Sequence, residues 1–568
     1  MNGWPSEQDR AVLPPASALR SPYGERSWFV RLADGVILAE GWRRALLAIL
    51  AGALGTLALP PYNVPLFGFV AFTLLVWLLD GAVGDPGRGV LRRLSVPFQI
   101  GWMFGFGYFV AGLWWLGAAM MVDAALFAWA IPLAVLILPA ILAIYFGLAA
   151  ALAKLVWSDG AGRLFALAAS FALFEYLRGI LFTGFPWNEI GVMAAPVPLM
   201  MQSVSVVGLH GLTLVAILVF SAPALLADPR GRWRTATLGL AVVLTLAHLG
   251  FGAWRLATAE TGFVDDVRLR VVQPGIEQSD KWDDAEVARI WTRLLDVTRQ
   301  AGSQDAAAAA SPQGATTLVV WPESALPFIL THRPDAIADL GDLLAPGELL
   351  VAGAARLEED TDAQTRVYNS VYLIDDQGAI IDARDKVHLV PFGEYLPFQP
   401  VLESLGFRQL TMVAGGFTAG AAHGVVSIDG KRGFLPLVCY EAIFPSEFVK
   451  LVAQSDSIGF MVNVTNDAWY GHTPGPFQHL RQAELSAIAV GLPLVRSANT
   501  GISIVNDAYG QTLDAMALGS TGAIVSPLPR AIGATFYAQF PDLLFWCAFA
   551  VTCAVATATA LTMSVRSD

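Results

Sequence analysis

The chain has 568 residues, of which 55% are hydrophobic and only 14% are charged, and its formal net charge at pH 7 is -12. Soluble globular domains carry about 25% charged residues, so this composition excludes a purely soluble protein and indicates one that resides in a lipid bilayer. The acidic balance argues against nucleic acid as a partner, because phosphate backbones bind basic surfaces.

Apolar segments of membrane-spanning length occur in two parts of the chain. A transmembrane helix needs about 20 predominantly apolar residues, and eight segments approach or exceed that length. They cover residues 44–60, 64–81, 98–120, 125–156, 164–182, 200–226, 236–256 and 542–564. We therefore predict a polytopic α-helical membrane domain with eight spans.

Basic residues fall on alternate loops between these spans. Lysine or arginine precedes the first span, occurs after the second, fourth and sixth, and follows the last. The loops at 60–65, 121–124 and 179–198 contain neither residue. By the positive-inside rule both termini are predicted to be cytoplasmic, and the segment between the seventh and eighth spans is predicted to lie on the opposite side of the membrane.

The chain divides into four predicted parts. Residues 1–43 are polar and proline-containing and predict a loose cytoplasmic arm, and residues 44–257 carry the first seven spans. Strand-like and helix-like runs alternate in residues 258–540, which predicts a soluble α/β domain with layered architecture. Within it, residues 303–316 are expected to be a surface insertion. Residues 541–568 hold the eighth span and the cytoplasmic tail.

Three segments of the soluble part each place an ionisable group at the end of a strand-like run. They carry Glu323 after Trp-Pro, Lys386 after Arg-Asp, and Cys439 before Tyr-Glu. A thiol, a carboxylate that can take its proton and an ammonium that can stabilise an oxyanion are the parts of covalent acyl transfer. Cys439 also precedes a predicted helix at 445–454, whose N-terminus is expected to favour the thiolate.

Each of these groups also has a structural interpretation when it is taken alone. The cysteine would be a small core residue, the glutamate a loop cap and the lysine a surface charge. Two further residues, Glu175 and Arg178, are costly in a membrane span and are candidates for a functional or packing role. His472 and His479 do not match a zinc spacing, and nucleotide-binding signatures are absent from the sequence, so neither a metal nor a cofactor is predicted.

The order and local sequence of these motifs resemble the nitrilase superfamily of carbon–nitrogen hydrolases, and most closely its membrane branch, the apolipoprotein N-acyltransferases. The resemblance covers nearly the whole chain from about residue 44. It includes the segments 183–187, 273–282, 466–471 and 496–501. It implies a nitrilase-like αββα sandwich held outside the cytoplasm by the membrane domain.

The resemblance also assigns roles to residues of this chain. It implies that Glu323 is the general base, that Lys386 supports the oxyanion and that Cys439 is acylated. The supporting residues that it implies are Glu394, Tyr440 and Glu441, and the substrate-binding residues are Trp187, Trp282, Asn369 and Trp469. Trp282 matches a tryptophan on a mobile loop over the active site.

The reaction implied by the resemblance has two steps. The cysteine takes an acyl chain from a phospholipid, at the sn-1 position of phosphatidylethanolamine, and passes it to the α-amino group of the diacylglyceryl-cysteine of an apolipoprotein. The implied enzyme is a monomer of the bacterial inner membrane with a periplasmic catalytic domain, and its partners are these two substrates and the bilayer.

Two other functions remain open from the residues alone. One is a membrane-tethered amidase that hydrolyses a small amide or nitrile with the same three groups. The other is a transporter or sensor whose exported domain only binds a ligand. The complete set of thiol, base and oxyanion donor argues against the second, and the aromatic loops and helix bundle favour a lipid substrate over the first.

Overall fold

The computed structural model describes residues 27–82, 89–282, 285–307, 315–359, 365–404, 409–411, 416–430 and 432–567. The described part of the chain before residue 258 is helical. Its helices are α1 (Trp28–Ile37), α2 (Gly41–Gly55), α3 (Leu66–Asp80), α4 (Val90–Leu113), α5 (Leu116–Ala119), α6 (Ala124–Phe127), α7 (Leu138–Leu155), α8 (Gly162–Ile180), α9 (Pro198–Met201), α10 (Val204–Ser221) and α11 (Arg232–Ala257).

Six helical segments in the described residues are long and apolar enough to cross a membrane. They are Val90–Leu113, Ala124–Leu155, Gly162–Thr183, Val204–Ala227, Arg232–Ala257 and Leu543–Thr562. The first two predicted spans correspond to α2 and α3, which have 15 residues each. At 1.5 Å per residue such a helix is about 22 Å long, less than the ~30 Å of a bilayer's hydrocarbon core. The count of eight spans therefore stays a prediction.

The amino-terminal arm is more ordered than the sequence suggested. Helix α1 begins after Ser27, whose hydroxyl accepts a hydrogen bond from the Val30 amide. Phe29 packs edge-on against Trp77 of α3, with 5.1 Å between the ring centroids, and Val36 is buried. The expectation of a loose arm is therefore wrong for Trp28–Ile37, because the apolar face of this helix has a partner in α3. Residues 1–26 lie outside the described residues.

The segment after α11 folds into two six-stranded sheets. The first has the order β12-β1-β2-β3-β4-β5 and the second the order β11-β10-β9-β8-β7-β6. The strands are β1 (Phe263–Gln273), β2 (Thr316–Val320), β3 (Leu349–Glu359), β4 (Thr365–Ile374), β5 (Ile380–Asp385), β6 (Val426–Ser427), β7 (Gly433–Val438), β8 (Ile458–Thr465), β9 (Leu494–Ala498), β10 (Ile504–Asn506), β11 (Thr512–Ala515) and β12 (Gly522–Pro529).

Helices cover the outer face of each sheet. The helices of this part are α12 (Val287–Ala307), α13 (Pro334–Leu343), α14 (Gln399–Ser404), α15 (Pro445–Gln454), α16 (Pro474–Val490) and α17 (Phe536–Gln539), and α18 (Leu543–Ser567) follows. Strand β7 shows the layering, because Phe434 and Val438 pack in the core between the sheets whereas Leu435 and Leu437 pack with α15 and α16. On the other side α12 and α13 pack on β1 to β4. The expected αββα sandwich is present.

One boundary in this domain differs from the sequence prediction. Helix α12 runs to Ala307, so the first residues of the predicted surface insertion at 303–316 are helical. Alanine is a strong helix former, and Ala306 and Ala307 continue the helix instead of ending it. Residues 308–314 lie outside the described residues.

Glycines allow α2 and α4 to approach each other closely. A Cβ atom on Gly107 would lie 2.0 Å from the backbone oxygen of Ile49, and one on Gly52 would lie 1.9 Å from that of Phe104. Real Cβ atoms do not approach backbone so closely, so only glycine fits at either position. Small residues of this kind are the usual means by which membrane helices pack tightly.

We predict that Gly107→Val destabilises the protein by about 2 kcal/mol or more, because the added side chain forces α2 away from α4. Gly239→Val is the matched control, since Gly239 also lies in a membrane helix but a Cβ there meets nothing within 4 Å. Thermal unfolding of the purified proteins in detergent measures the stability of both variants. Equal melting temperatures for the two variants would contradict the close packing.

Candidate active site

Three of the predicted residues meet at one edge of the sandwich. Glu323 follows β2, Lys386 follows β5 and Cys439 follows β7, and all three are at least nine-tenths buried. The Lys386 ammonium lies 3.7 Å from Glu323 Oε1 and 2.9 Å from Glu394 Oε2. The structure therefore brings a thiol, an ammonium and two carboxylates into one enclosed site.

Asn369 ties the two carboxylates together. Its Nδ2 donates to Glu323 Oε1 at 2.8 Å and to Glu394 Oε1 at 2.9 Å. Its own carbonyl accepts a hydrogen bond of 2.7 Å from the Lys386 amide. Glu394 also accepts from the Val390 amide at 2.8 Å. Each carboxylate thus has a fixed orientation before any substrate arrives.

The Cys439 backbone adopts a left-handed conformation, with φ of 52°. This conformation is strained for a residue with a side chain and must be held by its surroundings. The Cys439 carbonyl lies 3.1 Å from His479 Nε2 and accepts from Asn463 Nδ2 at 3.3 Å. On the preceding residue, the Val438 amide donates to Glu441 Oε2 at 2.7 Å. The backbone of Cys439, the candidate nucleophile, is therefore held by contacts at its own carbonyl and by a hydrogen bond at the amide of the preceding residue.

The charges around the thiol favour its protonated form in the resting protein. Burial raises the pKa of Cys439 and the Glu323 carboxylate raises it further, whereas Lys386 lowers it. Burial thus outweighs the opposing effect of Lys386, and the expectation that a helix N-terminus favours the thiolate stays a prediction. For Lys386, burial alone would lower the pKa, but Glu394 and then Glu323 outweigh it and raise the value. The ammonium consequently stays charged.

Two of the expected supporting residues connect neighbouring loops. Both Glu441 carboxylate oxygens are used, since Oε1 accepts from the Val387 amide at 2.6 Å and Oε2 from the Val438 amide. Tyr440 directs its hydroxyl at the carbonyl of Gly184, 3.4 Å away, and stacks on Trp187 with 6.2 Å between the ring centroids. Glu441 thus joins the loops of the lysine and the cysteine, and Tyr440 contacts the membrane domain.

Gln478 joins the membrane domain to the catalytic domain. Its Oε1 accepts from Trp115 Nε1 at 3.1 Å, Trp187 Nε1 at 3.0 Å and Asn188 Nδ2 at 3.0 Å. The three donors belong to loops at the ends of α4 and α8, whereas Gln478 lies in α16 beside His479. A contact between the two domains therefore places Trp187 against Tyr440, the residue after Cys439.

Arg178 and Glu175, which the sequence marked as costly in a span, hold this same loop. The Arg178 guanidinium pairs with Glu175 and donates to the carbonyl oxygens of Phe185 and of Trp187, the latter at 3.0 Å. Both charged side chains are fully buried. Their role in the structure is to fix the loop that forms one wall of the site.

Several buried polar residues near the site were not predicted from the sequence. Asp467 Oδ1 lies 2.8 Å from His479 Nδ1, and Arg496 Nη2 donates to Asp467 Oδ2 at 2.8 Å. Burial alone would raise the pKa of Asp467, but Arg496 and then His479 outweigh it and lower the value to about 2. The sequence carried a signal, because Asp467 and Arg496 lie in two of the motifs that support the family resemblance.

The segment after β1 brings a second lysine to the site. Lys281 Nζ donates to the Ser324 carbonyl at 3.1 Å, and burial lowers its pKa to about 8. Asn499 holds this segment, since its Nδ2 donates to the Ile276 carbonyl at 2.6 Å. Trp282 is next in the chain, but its side chain lies outside the described residues.

The last predicted substrate residue lines a cavity between the two domains. Trp469 belongs to the short helical turn Asp467–Tyr470 and lines a cavity together with residues of the membrane domain. Among the described residues, groups of three or more His, Cys, Asp or Glu side chains suited to a metal ion are absent. The assignment of substrate-binding roles to Trp469, Trp187 and Asn369 stays a prediction.

Comparison with known families accounts for both domains. Residues 51–222 match the family of the apolipoprotein N-acyltransferase N-terminal domain, and residues 268–541 match the carbon-nitrogen hydrolase family. The structure also resembles an amidase of the nitrilase superfamily from Nesterenkonia, with 19% identity and a TM-score of 0.35 over 51% of this chain and 100% of that one. The αββα sandwich and the family matches together define a carbon-nitrogen hydrolase domain attached to a membrane bundle.

Relatives along the whole chain narrow this class to one family. The chain is 51% identical to the apolipoprotein N-acyltransferase of Brucella melitensis, over 88% of this chain and 92% of the relative. It is 46% identical to that of Rhizobium meliloti, over 95% of this chain and 100% of the relative. The chain belongs to the apolipoprotein N-acyltransferase family, whose members are bacterial acyltransferases of lipoprotein biosynthesis. The long apolar helices fit a protein of the inner membrane.

We predict that Gly353→Ala lowers the rate of acyl transfer by about 10- to 100-fold. A Cβ on Gly353, in β3, would lie 2.5 Å from Glu323 Cα and would displace the carboxylate, and misplacements of about 1 Å can cost 100-fold in rate. Gly459→Ala in β8 is the matched control, because the nearest atom there is 3.7 Å away. Acyl transfer is measured below the melting temperatures of both variants. Equal rates would contradict the predicted displacement of Glu323.

We also predict that Asp467→Asn destabilises the catalytic domain by about 3 kcal/mol at pH 7, because it leaves the buried Arg496 guanidinium without its carboxylate partner. The pKa of Asp467 falls from 3.8 to about 2 on folding. Its contribution is therefore complete above about pH 4 and lost as the pH falls towards 2.

Thermal unfolding from pH 7 to pH 3 measures this difference between wild type and variant. The difference should shrink below about pH 4. Asp265→Asn is the control, since the Asp265 side chain is 89% exposed. A difference of the same size at pH 7 and pH 3 would show that Asp467 does not stabilise the fold as a carboxylate.

Proposed function

We propose that the protein transfers an acyl chain from a phospholipid, at the sn-1 position of phosphatidylethanolamine, to the α-amino group of the diacylglyceryl-cysteine of an apolipoprotein. The observation that supports a lipid donor is the composition of the site's wall. Trp187 and Trp115 of the membrane domain pack against each other, with 5.1 Å between ring centroids, and Trp187 stacks on Tyr440 beside Cys439. A nucleophile at the rim of the bundle can meet a lipid that stays in the bilayer.

Energetics favour this arrangement over a site in open water. Withdrawing an acyl chain into water costs about 0.8 kcal/mol per exposed methylene. A site held against the outer leaflet avoids that cost, since donor and acceptor are both lipid-anchored. We therefore propose that the catalytic domain is periplasmic. The basic residues on alternate loops support two cytoplasmic termini. We also propose that the enzyme works as a monomer.

In the first step Glu323 accepts the proton of the Cys439 thiol while the sulfur attacks the ester carbonyl of the phospholipid. The resulting oxyanion is stabilised by the Lys386 ammonium. The carbon–oxygen bond of the ester then breaks, and the departing alkoxide takes the proton from Glu323. The products are a thioester on Cys439 and a lysophospholipid.

In the second step the neutral α-amino group of the acceptor attacks the thioester carbonyl. Glu323 accepts a proton from the nitrogen, the carbon–sulfur bond breaks, and the thiolate recovers the proton. The products are an amide on the lipoprotein and the free thiol, so the cycle is of the ping-pong type. Water would hydrolyse the thioester, and the enclosing aromatic residues serve to exclude it.

The charge arrangement allows both steps with one base. The raised pKa of Cys439 means that the thiol ionises as it attacks, and a carboxylate must then be near to receive the proton. Asn369 and Lys386 hold Glu323 in place for this. Glu394 neutralises the ammonium at rest, which leaves Glu323 free to exchange protons with the substrates.

Incubation of the purified protein with a radiolabelled phospholipid and a diacylglyceryl peptide tests this function. The label should appear in amide linkage at the amino terminus of the peptide, and it should not appear when that amine is acetylated. Release of the label as free fatty acid, with the peptide unchanged, would instead support the rival hydrolase. Hydrolysis of a small amide at a comparable rate would support an amidase.

We predict that Cys439→Ser and Glu323→Gln each abolish turnover, by at least about 1,000-fold. An alcohol is far harder to ionise than a thiol, and an amide cannot accept the proton. Glu277→Gln is the matched control, because it makes the same chemical change at an exposed residue outside the set of Glu323, Lys386 and Cys439. The label on the protein is measured in the absence of acceptor. Acylation of Glu323→Gln at the wild-type rate would show that Glu323 is not the base that accepts the thiol proton.

A further inference from the structure

A cavity of about 230 Å³ lies between the membrane domain and the catalytic domain. Its walls include Val122, Asp123 and Phe127 from the membrane side and Ser279, Leu410 and Trp469 from the catalytic side. This cavity is walled mainly by apolar side chains, and both domains are needed to form it.

The cavity adjoins the candidate active site along the chain. The Leu410 amide donates to the Phe392 carbonyl at 3.2 Å, two residues before Glu394. Ser279 is two residues before Lys281, which contacts the backbone after Glu323. A substrate with its carbonyl at the nucleophile could therefore extend a polar group into this cavity.

Asp123 gives the cavity a negative charge. Among the described residues that line the cavity it is the one charged side chain, and it is half-buried. Its Oδ1 accepts from the Leu126 amide at 3.3 Å and caps helix α6, and a cation within ion-pairing distance is absent from the described residues. A carboxylate that is partly withdrawn from water, without a cation, attracts a positively charged ligand.

Trp469 adds a second feature that suits a cation. An indole face attracts an ammonium group by about 0.5–2 kcal/mol, depending on how far the group is desolvated. Carboxylate and indole line the same cavity from opposite domains, so both would attract a cation inside it. Small apolar ligands would gain nothing from the carboxylate, and anions would be repelled.

We propose that Asp123 and Trp469 form a subsite for the primary ammonium group of a membrane-borne substrate. This inference rests on the proposed function, in which two reactants carry such a group. One is the ethanolamine head group of the donor, and the other is the α-amino group of the acceptor before it loses its proton. The subsite would select for the charge, whichever reactant occupies it.

Asp123→Asn tests the subsite with little disturbance of the fold. Asparagine caps a helix as well as aspartate does, so the variant removes the charge and keeps the hydrogen bond to Leu126. Asp296→Asn is the matched control, because Asp296 lies on α12 with its side chain 55% exposed. Thermal unfolding should be the same for both variants.

The two half-reactions separate the two sources of the ammonium. Acylation of the enzyme is measured with phosphatidylethanolamine and with phosphatidylglycerol, and amine transfer with preformed acyl-enzyme and a diacylglyceryl peptide. If the donor head group binds here, Asp123→Asn lowers the preference for phosphatidylethanolamine by about two- to fivefold. If the acceptor binds here, the preference is unchanged and the KM for the peptide rises by a similar factor.

Unchanged lipid preference together with an unchanged KM would overturn the subsite. A change of the same size in Asp296→Asn would overturn it as well, since the effect would then not be local. Failure of the wild-type protein to become acylated by any phospholipid would instead contradict the proposed function. The two failures are therefore distinguishable in one set of measurements.

Discussion

Lys386 places an ammonium group 2.9 Å from Glu394 and 3.7 Å from Glu323, in a site with little access to water. A buried charge of this kind is tolerated only with its partners in place, and removal of one partner typically costs 3–5 kcal/mol. Strands β2, β4 and β5 must therefore keep their register, because β2 and β5 lead to Glu323 and Lys386 and β4 carries Asn369, which donates to both carboxylates. The same constraint keeps the ammonium charged, as the proposed stabilisation of an oxyanion requires.

The membrane bundle is part of this site as well as its anchor. Trp187 stacks on Tyr440, next to Cys439, because Arg178 of α8 fixes the loop that carries it and Gln478 of α16 accepts a hydrogen bond from its indole N–H. Gln478 is followed by His479, which lies against the Cys439 carbonyl. A displacement of the bundle relative to the sandwich would thus move residues that contact the Cys439 backbone. This coupling gives a physical reason for an acyltransferase to carry its catalytic domain on a helix bundle.

Much of the site was predictable from the sequence because its groups end strand-like runs in recognisable motifs, as Glu323 and Cys439 do. The α/β sandwich followed from the alternation of strand and helix patterns. Contacts between distant segments were not predictable. One such set of contacts is the cluster of Asp467, His479 and Arg496, which joins three elements. Another is the packing of helix α1 on Trp77 of α3. The raised pKa of Cys439 also escaped prediction, because burial is a property of the assembled fold.

The mass of the intact protein after reaction with a single phospholipid, whose two acyl chains differ in length, tests the central claim most directly. The mechanism predicts that Cys439 gains one acyl group with the mass of the sn-1 chain, and that adding a diacylglyceryl peptide removes this group as the peptide gains it. Formation of the acylated peptide with no adduct on Cys439 at any time, in a rapid-quench series, would contradict the thioester. So would an adduct that persists while product accumulates.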